Sequence, residues 1–329
     1  MSAQSNVSVF GRISNASRSL TLVLIKVIIT VLLLWLCLRG RDFPDFFRTT
    51  QKIGSAVLIM VMGAAALQVL LGIYRWHAII VMLGGQLPWR SAARALLLER
   101  LFNQAVPGLL GGDAARGWVV VREGTDTLLA VSSIILDRLV AILGIVVVIA
   151  ICLPLTARVL TSSEMMPGIE LMVGAILLGT LMLLVVPYRV TRWIKGLQLW
   201  GRLCAKLIEQ VQQLRRPRLI LLGIGLSVAI HMLSIVMILM IARALGLALA
   251  PWEAAALIPL VLFFALLPIS IAGWGVREGA MVLLLGYVGI STADALSVSV
   301  VYGLTGLAAG VFGGLIWLVT GRAASGHDL

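Results

Sequence analysis

The feature that most constrains this chain is a broken apolar segment at residues 99–124, ERLFNQAVPGLLGGDAARGWVVVREG. Pro107, Gly108, Gly111 and Gly112 interrupt any helix in its middle, because proline lacks an N–H group and glycine is a weak helix former. The backbone groups freed by such a break find no water in hydrocarbon, so the break requires surrounding protein or a wet cavity. The segment therefore predicts a helix–loop–helix hairpin that dips into a membrane.

Composition places the whole chain in a membrane. Of its 329 residues, 60% are hydrophobic and 12% are charged, whereas soluble domains carry roughly a quarter charged residues. Basic residues exceed acidic ones by 12, which in a soluble protein would suggest nucleic acid. Here the excess favours cytoplasmic loops and contact with anionic lipid, so we expect membrane lipids as partners and no nucleic acid.

Six apolar runs of about 20 residues predict spanning helices, because that length crosses a hydrocarbon core of ~30 Å. They are Leu20–Leu38, Ser55–Ile73, Val131–Leu153, Ile169–Pro187, Leu219–Ala242 and Ala293–Val319. Two broken segments, Ser91–Arg122 and Pro251–Gly289, are predicted as re-entrant helical hairpins. The predicted fold class is an all-α polytopic membrane protein, with residues 1–329 forming one membrane domain.

Two further segments carry features of the membrane–water interface. Tyr74, Arg75 and Trp76 follow the second span with the aromatic and basic residues typical of that boundary. Residues 189–215 repeat large apolar residues at spacings of 4 and 3, with basic residues off that stripe, which predicts an amphipathic helix. That helix lies on an anionic leaflet or packs on the protein's own cytoplasmic face, and the pattern leaves both open.

The distribution of lysine and arginine predicts the orientation of the chain. With a cytoplasmic N-terminus and each hairpin returning to its own side, 17 of the 26 Lys and Arg lie inside and 7 outside. Because cytoplasmic loops carry the excess of basic residues, both termini are expected in the cytoplasm. The expected location is a bacterial inner membrane.

The two broken segments resemble each other in sequence. FNQAVPGLLGGDAARG (102–117) aligns with FFALLPISIAGWGVREG (263–279) at a shift of 161, which pairs Pro107 with Pro268, Gly112 with Gly273 and Arg116 with Arg277. A rival shift of 155 pairs the two VREG strings but loses both prolines, so we prefer 161.

This repeat predicts a particular topology. Each half, about 20–153 and about 169–319, contains two spans, a hairpin and a third span. An odd number of crossings inverts the second half relative to the first, a pattern shared by many secondary transporters. The hairpins then enter from opposite faces and meet near the midplane, where such proteins bind their substrates.

The hairpin tips carry residues suited to an anion. Each second helix is predicted to begin near Asp113 and near Gly275, and a helix N-terminus favours negative charge. Arg116 and Arg277 add guanidinium groups that match phosphate oxygens in a bidentate way. Asp113 and Glu278 then neutralise these arginines or carry a coupling proton. The alternative, which stays open, is that Asp113–Arg116 and Arg277–Glu278 are internal pairs that only fold the hairpins.

Other polar residues complete the predicted site. Glu99 and Asn103 share one helix face and are expected to line the cavity wall. Asp137 and Arg138 open the third span as a structural pair or as a head-group contact. His231, in the fifth span, is expected to be a hydrogen-bonded core histidine rather than a proton relay. The expected hairpin breaks are Pro107, Gly111, Gly112, Pro268, Gly273 and Gly275.

Catalytic and metal motifs are not expected. Cys37, Cys152 and Cys204 are isolated, without a CxxC pair, and the three histidines have no HExxH spacing. We therefore predict no disulfide, no metal, no cofactor and no catalytic residue.

Three motifs resemble a known family. They are R-x-F-N-x-x-x-P-G-x-x-G-G-D-x-x-R from Arg100 to Arg116, the pair Asp137-Arg138, and P-x-S-x-x-G-x-G-x-R-E from Pro268 to Glu278. The chain resembles, over nearly its whole length, the flippase-like membrane domain of lysylphosphatidylglycerol synthases and its stand-alone relatives.

The resemblance implies a lipid flippase or transporter that moves an anionic or phosphate-bearing head group. The implied partners are anionic or polyprenyl-phosphate lipids, with a second copy of the chain or a lipid-synthesis enzyme as further candidates. The alternative function is a membrane-embedded lipid-modifying enzyme or an accessory subunit of one. Synthase activity itself is not expected, because the resemblance does not extend to the soluble aminoacyl-transfer domain of the synthases.

Overall fold

The computed structural model describes residues 28, 53–105, 111–161, 164–185, 217–266, 270 and 273–324. Within these ranges the regular structure is entirely α-helical, which confirms the predicted all-helical fold class. The helices are α1 (Ser55–Met82), α2 (Trp89–Ala105), α3 (Gly111–Arg122), α4 (Thr127–Val159), α5 (Met165–Val185), α6 (Pro217–Ala244), α7 (Pro251–Leu266), α8 (Val276–Gly286) and α9 (Thr292–Ala324). The predicted span Leu20–Leu38 and the amphipathic helix 189–215 lie outside the described residues.

Four helices in the described part of the chain are long and apolar enough to cross a membrane. They are Ser55–Met82, Thr127–Val159, Leu221–Ala244 and Thr292–Trp317, and they correspond to the second, third, fifth and sixth predicted spans. The fourth predicted span corresponds to α5, whose segment Met165–Gly179 is apolar but shorter. Length and apolar composition therefore support a multi-pass membrane protein.

Helix α1 is longer than the span predicted for it. It continues from Ile73 to Met82, and the helical repeat turns Arg75 and Trp76 inward. Both are buried among other helices, whereas Tyr74 is about half exposed. Arg75 and Trp76 therefore face protein, and their position at the membrane–water interface stays a prediction.

Helices α2 and α3 form an antiparallel pair at the first broken segment. Arg116 of α3 contacts Glu99 of α2, and the later residue Glu123 contacts the earlier Arg94. Gly112 lies so close to Asn103 that a Cβ there would overlap its side chain. Gly111 and Gly112 form the first turn of α3, while Pro107 lies outside the described residues.

Helices α7 and α8 occupy the second broken segment. Gly273 and Gly275 precede α8 with φ of 77° and 87°, a left-handed conformation that strains any residue with a side chain. Gly273 also approaches the carbonyl of Ala265 near the end of α7. Both glycines are therefore required by backbone geometry, while Pro268 lies outside the described residues.

Helices α1–α4 form one set and helices α6–α9 a second set, and the two sets match in length and order. Helices α1 and α6 have 28 residues each, α2 and α7 have 17 and 16, α3 and α8 have 12 and 11, and α4 and α9 have 33 each. Packing crosses between the sets, since α4 packs on α7 and α9 packs on α2. Thr156 of α4 donates to the carbonyl of Ala256 at 2.9 Å, and Gly310 of α9 approaches the backbone of Arg100.

Candidate functional site

Arg116 is the centre of a buried ionic cluster. Its side chain is 1% exposed, although it carries a full positive charge. Three carboxylates surround its guanidinium: Asp137 at 3.0 Å, Asp113 at 3.1 Å and Glu99 at 3.2 Å. They come from α4, α3 and α2, so the hairpin and a long helix build this site together. A buried arginine is stable only with such partners, because an unpaired charge there would be very costly.

Two further arginines complete the Arg116 cluster, which we define as Arg75, Glu99, Asp113, Arg116, Asp137 and Arg138. The Arg75 Nε donates to Asp137 at 2.8 Å, and the Arg138 Nε donates to Asp113 at 2.7 Å. Three arginines thus face three carboxylates, and the formal charges balance. The Arg138 side chain is 44% exposed, whereas the other five members are mostly or fully buried.

Neutral groups fix the geometry of the Arg116 cluster. The ring of Trp76 stacks on the guanidinium of Arg116 at 4.6 Å, a cation–π contact. Asn103 donates from Nδ2 to Glu99 at 3.3 Å. The Arg75 Nη1 donates to the hydroxyl of Ser227 on α6 at 3.0 Å, which ties the cluster to the opposite set of helices.

A second cluster surrounds Arg277, and we define it as Arg277, Glu278, Ser299, Trp274 and Tyr302. The Arg277 Nη2 donates to Glu278 at 2.6 Å and its Nε donates to Ser299 at 3.1 Å. The Trp274 ring lies 4.6 Å from this guanidinium, the same distance as Trp76 from Arg116. Tyr302 lies on another side at 5.8 Å.

Glu278 also closes the N-terminus of α8. Its second carboxylate oxygen accepts the N–H of Gly275 at 2.5 Å, while the first is shared by Arg277 and Ser299. This N–H group was predicted to be available to an anion, and a carboxylate of the protein holds it here. Glu278 thus stands where a bound anion would stand.

A polar seam runs between α1 and α6, and we define it as Gln68, Ser227, His231 and Ser234. The Gln68 Nε2 donates to Ser234 at 2.7 Å, and the hydroxyl of Tyr302 donates to the same serine at 3.1 Å. The His231 Nε2 lies 3.1 Å from the carbonyl of Ala141, which confirms the predicted hydrogen bond but does not test whether His231 carries a proton. The seam therefore touches the Arg116 cluster at Ser227 and the Arg277 cluster at Tyr302.

The predicted site residues divide between the two clusters. Asn103, Asp113, Arg116 and Arg138 meet in the first, whereas Arg277 and Glu278 belong to the second. No hydrogen bond or ion pair between described residues joins Arg116 to Arg277. The internal pairs Asp113–Arg116 and Arg277–Glu278 are both present.

The neighbours Asp137 and Arg138 do not pair with each other. Asp137 turns to Arg75 and Arg116, while Arg138 turns to Asp113. Successive residues on a helix point about 100° apart, so Asp137 and Arg138 contact different residues of α3, and Asp137 also reaches Arg75 on α1.

Sequence reasoning missed the pairing of Arg75, the hydroxyl groups of Ser227 and Ser299 that accept from arginines, and the amide of Gln68 in the seam. The sequence does contain a pattern that identifies most of these residues. Gln68 and Arg75 are seven residues apart on one helix, and Ser227 and Ser234 are seven residues apart on another. Polar residues seven apart share one face of an apolar helix, which marks that face as buried against another polar face. Ser299 had no such signal and is identified only by its contacts.

The helices, their apolar surfaces and the buried ionic clusters define a polytopic α-helical membrane protein. Residues 23–314 match the sequence profile of the lysylphosphatidylglycerol synthase TM region, and the chain belongs to that family. A search of curated proteins finds no match to the chain.

Proposed function

We propose that this protein is a lipid flippase or transporter of the bacterial inner membrane, with both termini in the cytoplasm. Its substrate is an anionic or phosphate-bearing lipid head group, which the arginines bind while the acyl tails remain in the bilayer. The observation that carries the proposal is a buried arginine at each hairpin, held by a carboxylate and stacked on tryptophan at 4.6 Å. Membership of a family named for a lipid synthase supports a lipid as substrate.

The proposed transport mechanism is an exchange of carboxylate for phosphate. Buried arginines need an anion at all times, because an unpaired charge in low dielectric costs several kcal/mol. In the structure Asp113 and Glu278 supply that anion. A lipid phosphate fits the same guanidinium groups and replaces these two carboxylates, so that no arginine is left without an anionic partner.

Arg138 is the proposed first contact for the head group. It is the most exposed arginine of its cluster and is bonded to Asp113 at 2.7 Å. A phosphate that binds Arg138 competes directly with Asp113, which in turn loosens the Asp113 contact to Arg116. Binding of the head group at Arg138 thus makes the buried Arg116 available to the phosphate.

An inverted repeat would give the protein its two alternating states. The four matched helix pairs, with 28 and 28, 17 and 16, 12 and 11, and 33 and 33 residues, support the proposed equivalence of the two halves. The exchange of packing between α4–α7 and α9–α2 is what a two-fold relation requires. Rocking of one half against the other then exposes the arginine clusters to each leaflet in turn.

A lipid-movement assay tests the proposal. The purified full chain is reconstituted in phosphatidylethanolamine and phosphatidylglycerol vesicles with fluorescent phosphatidylglycerol, and a membrane-impermeant quencher reports movement between leaflets. The test variant is Arg116→Lys with Arg277→Lys, which keeps both charges but removes the bidentate forks. We expect at least a tenfold slower movement, since charge-assisted hydrogen bonds contribute about 1.5–3 kcal/mol each.

The matched control is Arg94→Lys, an arginine whose pair with Glu123 is partly exposed and lies outside both clusters. It should move lipid as fast as the parent. Equal rates for parent, control and double variant would contradict the assignment of the arginines. Covalent modification of the lipid, detected by mass spectrometry, would instead establish a lipid-modifying enzyme.

A further inference from the structure

His231 occupies the seam between the two arginine clusters. It lies on α6 one turn after Ser227, which accepts from Arg75, and one turn before Ser234, which accepts from Gln68 and Tyr302. Residues at such spacings face the same side of a helix. His231 is 8% exposed, so it is a titratable group buried between two ionic sites.

The neighbouring backbone determines which ring nitrogen of His231 is able to accept a proton. The partner of Nε2 is the carbonyl of Ala141 at 3.1 Å, and a carbonyl oxygen only accepts. Nε2 must therefore carry a hydrogen, and the neutral ring keeps its lone pair on Nδ1. Protonation at Nδ1 converts His231 to a cation without breaking the bond to Ala141.

A proton on His231 would change the charge balance of the Arg116 cluster. Three arginines already face three carboxylates, so a lipid phosphate that enters the cluster adds one uncompensated negative charge. A low-dielectric interior strongly disfavours such a charge. Uptake of one proton at a nearby neutral group restores the balance.

We propose that His231 takes up this proton, so that the anionic head group and a proton are bound and released together. This inference rests on the proposed function and identifies its coupling ion. Binding adds one proton to Nδ1 of His231 from the side to which the site is open, and release of the head group returns it. Because linkage is reciprocal, a bound head group raises the proton affinity of His231, and protonated His231 binds the head group more tightly.

The surroundings of His231 agree with this role. The charged group that acts on it from α1 is Arg75, whose partner on α4 is Asp137. Tyr302 faces the seam from α9. On α7, Glu253 instead accepts the N–H of Ala250 at the start of its own helix. Burial disfavours the charged imidazole, and the positive charge of Arg75 adds to that cost. A phosphate near Arg75 offsets this positive charge and so favours protonation of His231.

Calorimetry of lipid binding tests the inference. Dihexanoyl phosphatidylglycerol is titrated into the detergent-purified full chain at neutral pH, in buffers of different ionisation enthalpy. The dependence of the observed heat on the buffer gives the number of protons taken up per lipid bound. We expect about one proton for the parent and a loss of that uptake in His231→Gln, with affinity reduced but measurable.

Two variants serve as controls. His77→Gln removes a histidine that also bonds a backbone carbonyl, Leu87 at 2.9 Å, but lies outside both clusters, and it should keep the uptake. Glu99→Gln removes one negative charge from the Arg116 cluster, so a bound phosphate is balanced by the arginines alone and proton uptake should fall. Uptake that persists in His231→Gln, or that is lost in His77→Gln, would overturn the assignment to His231.

Measurements on the parent protein alone also test whether lipid binding is coupled to proton uptake, even if the variants do not fold. Lipid binding without proton uptake would refute the coupling and leave the proposed lipid transport intact. A protein that neither binds the short-chain lipid nor moves the fluorescent lipid between leaflets would refute the transport, and the coupling with it.

Discussion

Arg75 and Asp137 lie 62 residues apart in the chain and meet at 2.8 Å, where α1 packs against α4. Asp137 uses its other oxygen to accept from Arg116 at 3.0 Å. One carboxylate therefore joins a spanning helix to the first hairpin through two buried arginines.

Replacing Asp137 with alanine should strongly destabilise the protein. The change leaves Arg75 without its carboxylate and removes one of the three around Arg116, and breaking a buried ion pair costs about 3–5 kcal/mol. Thermal unfolding in detergent, followed by size-exclusion chromatography, measures the effect. Glu123→Ala is the control, because its pair with Arg94 is partly exposed and should contribute no more than about 1 kcal/mol. Equal melting temperatures for the two variants would contradict the structural role of Asp137.

Ser299 should contribute to lipid movement where its neighbour Ser297 does not. The Ser299 hydroxyl accepts from Arg277 at 3.1 Å and donates to Glu278 at 3.0 Å, whereas Ser297 donates to the carbonyl of Ala293 on its own helix. Ser299→Ala should slow leaflet exchange about tenfold, since a hydrogen bond to a charged group contributes roughly 1.5–3 kcal/mol. Ser297→Ala, equally buried, should keep the parent rate. A matching loss in both variants would indicate a general packing defect.

Gly303 should not tolerate a side chain. A Cβ at this position of α9 would overlap the guanidinium of Arg277 and the ring of Trp274. Gly303→Ala should therefore displace Arg277, with a loss of stability of about 1–3 kcal/mol and slower lipid movement. Gly225 on α6 has open space around it, so Gly225→Ala is the matched helical control and should unfold at or above the parent temperature. Parent-like stability and transport in Gly303→Ala would show that Arg277 has room to shift.

The proposed inversion of the two halves predicts opposite accessibility of two equivalent loops. Gln86 precedes α2 and Ala248 precedes α7, and both are exposed. Single cysteines at these positions, in a chain with Cys37, Cys152 and Cys204 replaced by serine, should react with an impermeant maleimide from opposite sides. Gln86→Cys should be labelled from the cytoplasm and Ala248→Cys from outside. Labelling of both from one side would exclude the inverted repeat.

Much of the fold is predictable from local pattern. Long apolar runs predict helices α1, α4, α6 and α9, because hydrocarbon requires every backbone group to bond within its own helix. The end of α1 was misplaced, since Tyr74, Arg75 and Trp76 have the composition of an interface. The burial of Arg75 and Trp76 depends on the helices that cover them, and a hydropathy pattern carries no information about covering neighbours.

The sequence by itself determined where helices α1, α4, α6 and α9 form and which residues are ionisable, because these follow from long apolar runs and side-chain chemistry. Only the tertiary structure decided the partner of each charge. The pair Asp113–Arg116 was one of two predicted alternatives, whereas the contacts of Arg116 with Glu99 and Asp137 were not predicted. A buried charge is paired with whatever opposite charge the packing of helices brings within about 4 Å, and that distance depends on helix–helix packing rather than on position along the chain.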